Sequence, residues 1–124
     1  MAKILVVDDD PCFLDATQML LEHEGHQVEC ATSGSNGFEA ALARHPDLVI
    51  LDVMMESVLE GVKISRYLHQ NPATKDIPIL MVTAIMRTEE ADKFPEEGKL
   101  FIDAYLTKPV DPTMFVQKIR QILP

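Results

Sequence analysis

Three stretches of this chain, Ile4-Leu5-Val6-Val7, Leu48-Val49-Ile50-Leu51 and Ile79-Leu80-Met81-Val82, are apolar at four successive positions. A strand with one wet face alternates apolar and polar residues, and a helix needs a longer segment to bury a stripe. A short run that is apolar at both parities fits a strand covered on both faces, the usual condition in a parallel sheet. Gln27–Cys30 and Ala104-Tyr105-Leu106 read as two shorter strands. Parallel neighbours need long crossovers, usually helical, and the segments between the runs have helical signals.

Asp10-Pro11 supplies an N-cap followed by proline at the first helical position. Leu14, Thr17 and Leu21 then fall on one stripe, and Gly25 closes the helix. Ser33-Gly34 opens a second helix with Phe38, Ala41 and Leu42 inward, and His45-Pro46 stops it, because the residue before proline avoids helical angles. A third helix is expected from Gly61 to about Asn71 on Ile64 and Leu68, punctuated by Asn71-Pro72. Asp111-Pro112 repeats the cap, and Phe115, Ile119 and Ile122 form the stripe of a last helix. The stretch between Arg87 and Ile102 is harder to read, because Pro95 and Gly98 interrupt any helix there. The sum is an α/β domain over residues 1–124, with five strands alternating with helices on both faces of a parallel sheet.

Charge narrows the function. Net charge is -9, which argues against direct binding to nucleic acid or to an anionic membrane surface. No apolar run approaches the roughly 20 residues of a membrane-spanning helix. The start of the chain is too short in apolar residues for a signal peptide, so a cytoplasmic protein is expected. Cys12 and Cys30 have no metal-ligand or paired spacing. They read as small buried hydrophobes. The scattered histidines His23, His26, His45 and His69 do not suggest a zinc site.

In an open parallel sheet, ligands sit beyond the carboxyl ends of the strands. Asp8, Asp9 and Asp10 follow the first run, Asp52 the third strand, Thr83 the fourth and Lys108 the fifth. Taken singly, each has a plain structural reading: an Asp ending a strand is commonly a cap or a solvated turn, Asp10 before Pro11 is best explained as a cap, and Lys-Pro is usually a turn. Together they form one chemistry. Carboxylates that repel one another are reconciled by a cation, and oxygen donors suit Mg²⁺. A carboxylate beside that ion can attack phosphorus, with a lysine to neutralise phosphoryl charge and a threonine hydroxyl to donate to it.

Val6-Val7-Asp8-Asp9, Leu51-Asp52, Val82-Thr83-Ala84 and Tyr105-Leu106-Thr107-Lys108-Pro109 resemble the signature of response-regulator receiver domains of two-component systems, the CheY-like superfamily. The resemblance covers almost the whole chain. It implies a flavodoxin-like sheet of order 2-1-3-4-5, and a phosphoryl group accepted on Asp52 from a sensor histidine kinase or phosphotransfer protein. It implies Mg²⁺ held by Asp8, Asp9, Asp52 and the backbone carbonyl of Met54. Thr83 and Ala84 would be the phosphoryl-binding switch segment, Lys108 the phosphoryl-binding lysine, Tyr105 the aromatic switch, and Pro109 would follow a cis bond. The output would be a conformational signal to a downstream protein effector by a monomer or weak dimer, rather than enzymatic turnover.

Three departures from the family pattern stand out. Glu56 occupies the position where the family usually has proline, in a loop that is one residue longer. Pro95 and Gly98 leave the family's fourth helix short or irregular, which alters the usual output face. Met54 and Ile85, two positions after Asp52 and Thr83, are bulky and cannot orient or deprotonate water, so slow loss of the phosphoryl group is expected.

Two other readings compete. A pseudo-receiver, an interaction module that is never phosphorylated, draws on the altered loops; the intact acids, Thr83 and Lys108 oppose it. A phosphatase of the haloacid dehalogenase type draws on the D-x-D pattern in Asp8-Asp9-Asp10. However, Pro11 follows immediately, and no second acidic motif appears late in the chain.

Overall fold

The computed structural model describes residues 2–52, 58–83, 104–107 and 110–123. The element order is β1 (Lys3–Val7), α1 (Pro11–His23), β2 (Gln27–Ala31), α2 (Gly34–Arg44), β3 (Leu48–Leu51), α3 (Val58–Gln70), β4 (Ile79–Thr83), β5 (Ala104–Thr107) and α4 (Pro112–Ile122). The five strands form one parallel sheet ordered β2-β1-β3-β4-β5. The expected sheet and its order are therefore present. The segment expected to hold a shortened helix, between Arg87 and Ile102, lies outside the described residues.

The wholly apolar runs are explained by two cores, one on each face. Ile4, Val6, Leu48, Ile50, Leu80 and Val82 pack with Leu14 and Leu21 of α1 and Phe115 and Ile119 of α4. The alternate residues Leu5, Val7, Val49, Leu51 and Ile79 pack with Ala41 of α2 and Ile64 and Leu68 of α3. Successive side chains on a strand point to opposite faces, so every position in these runs is buried. Each fully buried Leu, Ile or Val side chain contributes about 1.5–3 kcal/mol relative to exposure.

The helix ends follow local chemistry. Asp10 caps α1, accepting from Cys12 N–H at 3.0 Å, and Asp111 caps α4, accepting from Thr113 N–H at 2.8 Å. Ser33 caps α2 through Asn36 N–H at 3.2 Å. Leu14, Thr17 and Leu21 are the buried residues of α1.

Three expectations need correction. Helix α3 begins at Val58 rather than at Gly61, so that glycine lies inside the helix. On α2, Ala41 is buried and Phe38 packs against the core as expected, but Leu42 is only half-buried and the other buried positions are Gly34 and Gly37. Gly37 is there because an added Cβ would sit 2.7 Å from Cγ2 and 2.9 Å from Cγ1 of Val7, so helix and strand approach closely. Finally, Cys12 and Cys30 are both exposed free thiols, not core residues. Cys12 lies on the outward side of α1's first turn, and Cys30 is on the edge strand β2.

Candidate functional site

The site forms where β1 and β3 end. Val7 and Leu51 are register partners on these adjacent strands, so the next residues, Asp8 and Asp52, leave the sheet side by side. Both remain tied to it: Asp8 N–H donates to Ala31 O at 3.0 Å, and Asp52 N–H donates to Val7 O at 2.9 Å. The acids are thus extensions of the ladder, placed by the most deeply buried strands.

Asp8 is fully buried and Asp52 is 4% exposed, while Asp9 is open to solvent. The carboxylates of Asp8, Asp9 and Asp52 each present an oxygen within 4.8 Å of the others. Among the described residues this is the one group of three or more His, Cys, Asp or Glu side chains arranged to hold a metal ion. Asp8 Oδ1 also accepts from Asp10 N–H at 2.9 Å, which fixes the carboxylate against the start of α1. Asp10 itself faces away from this role, its carboxylate being the α1 cap.

The donor set fits Mg²⁺. Octahedral coordination at about 2.1 Å places neighbouring oxygens about 3 Å apart and opposite ones about 4.2 Å apart, a spread the three carboxylates can meet. All three donors are hard oxygens, and two come from buried groups whose charge is costly without a cation or hydrogen bonds. No histidine or cysteine competes within the group.

Thr83 is the last residue of β4 and is paired in register with Thr107 at the end of β5. Leu51 pairs with Met81, so continuing that register carries the end of β4 just beyond the level of Asp52. Tyr105 pairs with Met81 within the sheet. The strand ends carrying Asp8, Asp52 and Thr83 therefore meet at one edge. Met54, Glu56, Ala84, Ile85, Lys108 and Pro109 lie outside the described residues. Lys108 follows β5 directly in sequence.

One supporting residue escaped the sequence reading. Gly37 packs on Val7, the residue before Asp8, and so helps to position the acid end of β1. A glycine in the middle of a helical pattern was the available signal.

Residues 4–120 match the family described as response regulator receiver domain. The chain is 37% identical over 123 residues to Protein PilH of Pseudomonas aeruginosa, covering 99% of this chain and 98% of that protein. It is 35% identical over 123 residues to the DNA-binding dual master transcriptional regulator RpaA of Synechocystis sp., covering 99% of this chain but 49% of that one. The chain thus spans nearly all of one such relative and about half of another. Among solved structures, chemotaxis protein CheY4 of Vibrio cholerae is similar with a TM-score of 0.85, 29% identity and 99% of both chains covered. A CheY-like receiver domain protein from Methanospirillum hungatei gives a TM-score of 0.83 at 29% identity, over 98% of this chain and 92% of that one.

Proposed function

The chain belongs to the response regulator receiver domain family, and from that premise we propose that Asp52 accepts a phosphoryl group from a histidine kinase or phosphotransfer protein. The observation that carries this reading is the meeting of the Asp8, Asp9 and Asp52 oxygens within 4.8 Å at the carboxyl edge of the sheet. A carboxylate oxygen of Asp52 attacks phosphorus, the donor's nitrogen leaves with the bonding pair, and an acyl phosphate remains on Asp52. Asp8, Asp9, Asp52 and the Met54 carbonyl would hold Mg²⁺, which would supply charge neutralisation at the phosphoryl oxygens.

Lys108 pairs with a phosphoryl oxygen, and the segment Thr83-Ala84 moves inward to donate to another. That movement vacates space for Tyr105. The phosphoryl group thus favours one of two packings through contacts made only in that packing, with a coupling of roughly 1–3 kcal/mol. Met54 and Ile85, two positions after Asp52 and Thr83 in the chain, have no group to orient or deprotonate water, so loss of the phosphoryl group is slow. The readout is binding to a downstream protein, in keeping with a net charge of -9 and no described helix long and apolar enough to cross a membrane.

Mass spectrometry of the intact chain after incubation with acetyl phosphate tests this. A Mg²⁺-dependent gain of one phosphoryl group that is absent in Asp52→Ala is expected, with a lifetime of minutes or longer. No gain under any condition overturns the reading in favour of an unphosphorylated interaction module. Loss of the group within seconds overturns the role given to Met54 and Ile85.

A further inference from the structure

At the end of the molecule away from the acids, the corner between α1 and β2 ties three parts of the chain together. Ala2 N–H donates to His26 Nδ1 at 3.1 Å, and Gln27 N–H returns a bond to Ala2 O at 2.8 Å. His26 N–H donates to Leu21 O at 3.0 Å, holding the imidazole's backbone to the last turn of α1. Gly25 makes the turn possible, with φ at +91° where a side chain would be strained. Glu24, the cap residue of α1, accepts from Arg120 Nη2 of α4 at 2.7 Å.

That last contact has a place in the packing of the two helices. Helices α1 and α4 frame an apolar groove of about 510 Å³, whose walls include Phe13 and Leu20 on one side and Pro112 and Phe115 on the other. Glu24 stands one turn beyond Leu20, and Arg120 more than a turn beyond Phe115. The Glu24–Arg120 pair is therefore a tie across the far end of this groove.

His26 sits beside the tie and in a state sensitive to protons. An imidazole nitrogen accepts a hydrogen bond only while it carries no proton. Burial holds the His26 pKa below its ordinary 6.5; the positive amino terminus and Arg120 act in the same direction, and Glu24 acts against them. Of these groups, Glu24 caps the end of α1 and Arg120 reaches it from α4.

We propose that His26 is a proton-operated latch. Neutral, it holds the start of β1 to the α1–β2 corner; protonated, it releases Ala2 and competes with Arg120 for Glu24, loosening the tie between α1 and α4 at the end of their groove. The proton comes from solvent and no bond other than N–H is made. Because the folded state protonates less readily than the unfolded chain, the unfolded chain binds the extra proton as pH falls below 6.5. The latch is intact above that value and is lost through the window just below it.

NMR of the isotopically labelled full chain from pH 8 to pH 5 tests the latch. The His26 ring is expected to titrate below an exposed histidine. The Ala2 amide and the Arg120 side-chain signals should move with the same midpoint. Hydrogen-exchange protection of the Ala2 amide, corrected for intrinsic rates, should fall about fivefold, as for a partly exposed hydrogen bond of roughly 1 kcal/mol. His26→Asn keeps an acceptor oxygen and should abolish all pH-dependent steps. Arg120→Gln removes an opposing charge and frees Glu24, so the His26 midpoint should rise. An Ala2 amide or Arg120 signal that stays fixed while His26 titrates overturns the proposal, as does a step that survives in His26→Asn. Should His26→Asn not fold, a midpoint that fails to rise in Arg120→Gln overturns it equally.

Discussion

Replacing Gly37 with alanine opposes two effects that the geometry separates. In a helix interior alanine is favoured over glycine by about 1 kcal/mol. Here, however, the new Cβ would lie 2.7 and 2.9 Å from the two γ-methyls of Val7. Ordinary carbon contacts are about 3.5–4.0 Å, so something must move by more than half an ångström. Val7 cannot swing aside, because its χ1 is stiff and it lies wholly within the core. Overpacking of this kind costs about 1–3 kcal/mol, which gives a net loss near 1 kcal/mol and a melting temperature about 4 °C lower. The sign should reverse once Val7 is trimmed. Val7→Ala alone should cost about 2–3 kcal/mol through lost burial and a cavity. In that background Gly37→Ala should regain about 1 kcal/mol, filling the vacated space while keeping its helical advantage. The resulting coupling is about 2 kcal/mol in a double-mutant cycle. Urea denaturation of the four proteins measures it, provided the slope with denaturant stays constant. A Gly37→Ala protein as stable as its parent, or a cycle with no coupling, would refute the close approach of α2 and β1.

Further outcomes follow from other features. Mg²⁺ at about 100 times its dissociation constant should stabilise the fold by about 2.7 kcal/mol, raising the melting temperature by about 10 °C. Asp9→Asn, at an exposed position, should remove most of that shift without lowering the metal-free melting temperature; equal shifts in both proteins would count against the metal site. His45 ends α2 in the left-handed region with φ 49°, so His45→Gly should raise stability by about 0.5–1 kcal/mol, strain relief outweighing the freer unfolded chain. His45→Val should lower stability, both read by thermal unfolding. Although Cys30 is exposed as a residue, partial burial of its thiol, with Asp15, Glu22 and Glu29 adding negative charge, pushes the thiol up. Its alkylation at neutral pH should therefore be several-fold slower than that of a cysteine peptide, rising with pH as the thiolate forms. A peptide-like rate would contradict that.

The parts of the fold that were legible in the sequence are those where one physical rule dominates. Residues 4–7, 48–51 and 79–82 could only be strands covered twice, and the two cores divide them by parity. Asp10-Pro11 and Asp111-Pro112 announced caps that the hydrogen bonds display. The parts that were missed are those where context outweighs residue type. Gly61 looks like a helix start, yet α3 absorbs it and begins at Val58, because an amphipathic face with Ile64 and Leu68 tolerates a poor helix former. Cysteine is commonly buried, but Cys12 falls on the wet side of a first turn and Cys30 on an edge strand. At the site, the acids were legible as residues following buried runs. Their division of labour was not readable from spacing alone. Asp8 and Asp9 share the cluster with Asp52, while Asp10 is spent on the helix; only Pro11 hinted at that.

The parallel arrangement of the sheet also gives the molecule a working end and a handling end. Every strand delivers its last residue to the edge where the acids meet, so every helix returns its chain to the opposite edge. The return after α3 is closed by Thr74, whose hydroxyl donates to Leu68 O at 2.6 Å, and it then exposes Lys75 and Asp76. A reporter, linker or new terminus placed between those two residues would hang from the handling end. It would leave the buried cap at Thr74, and the acids a sheet's length away, as they are.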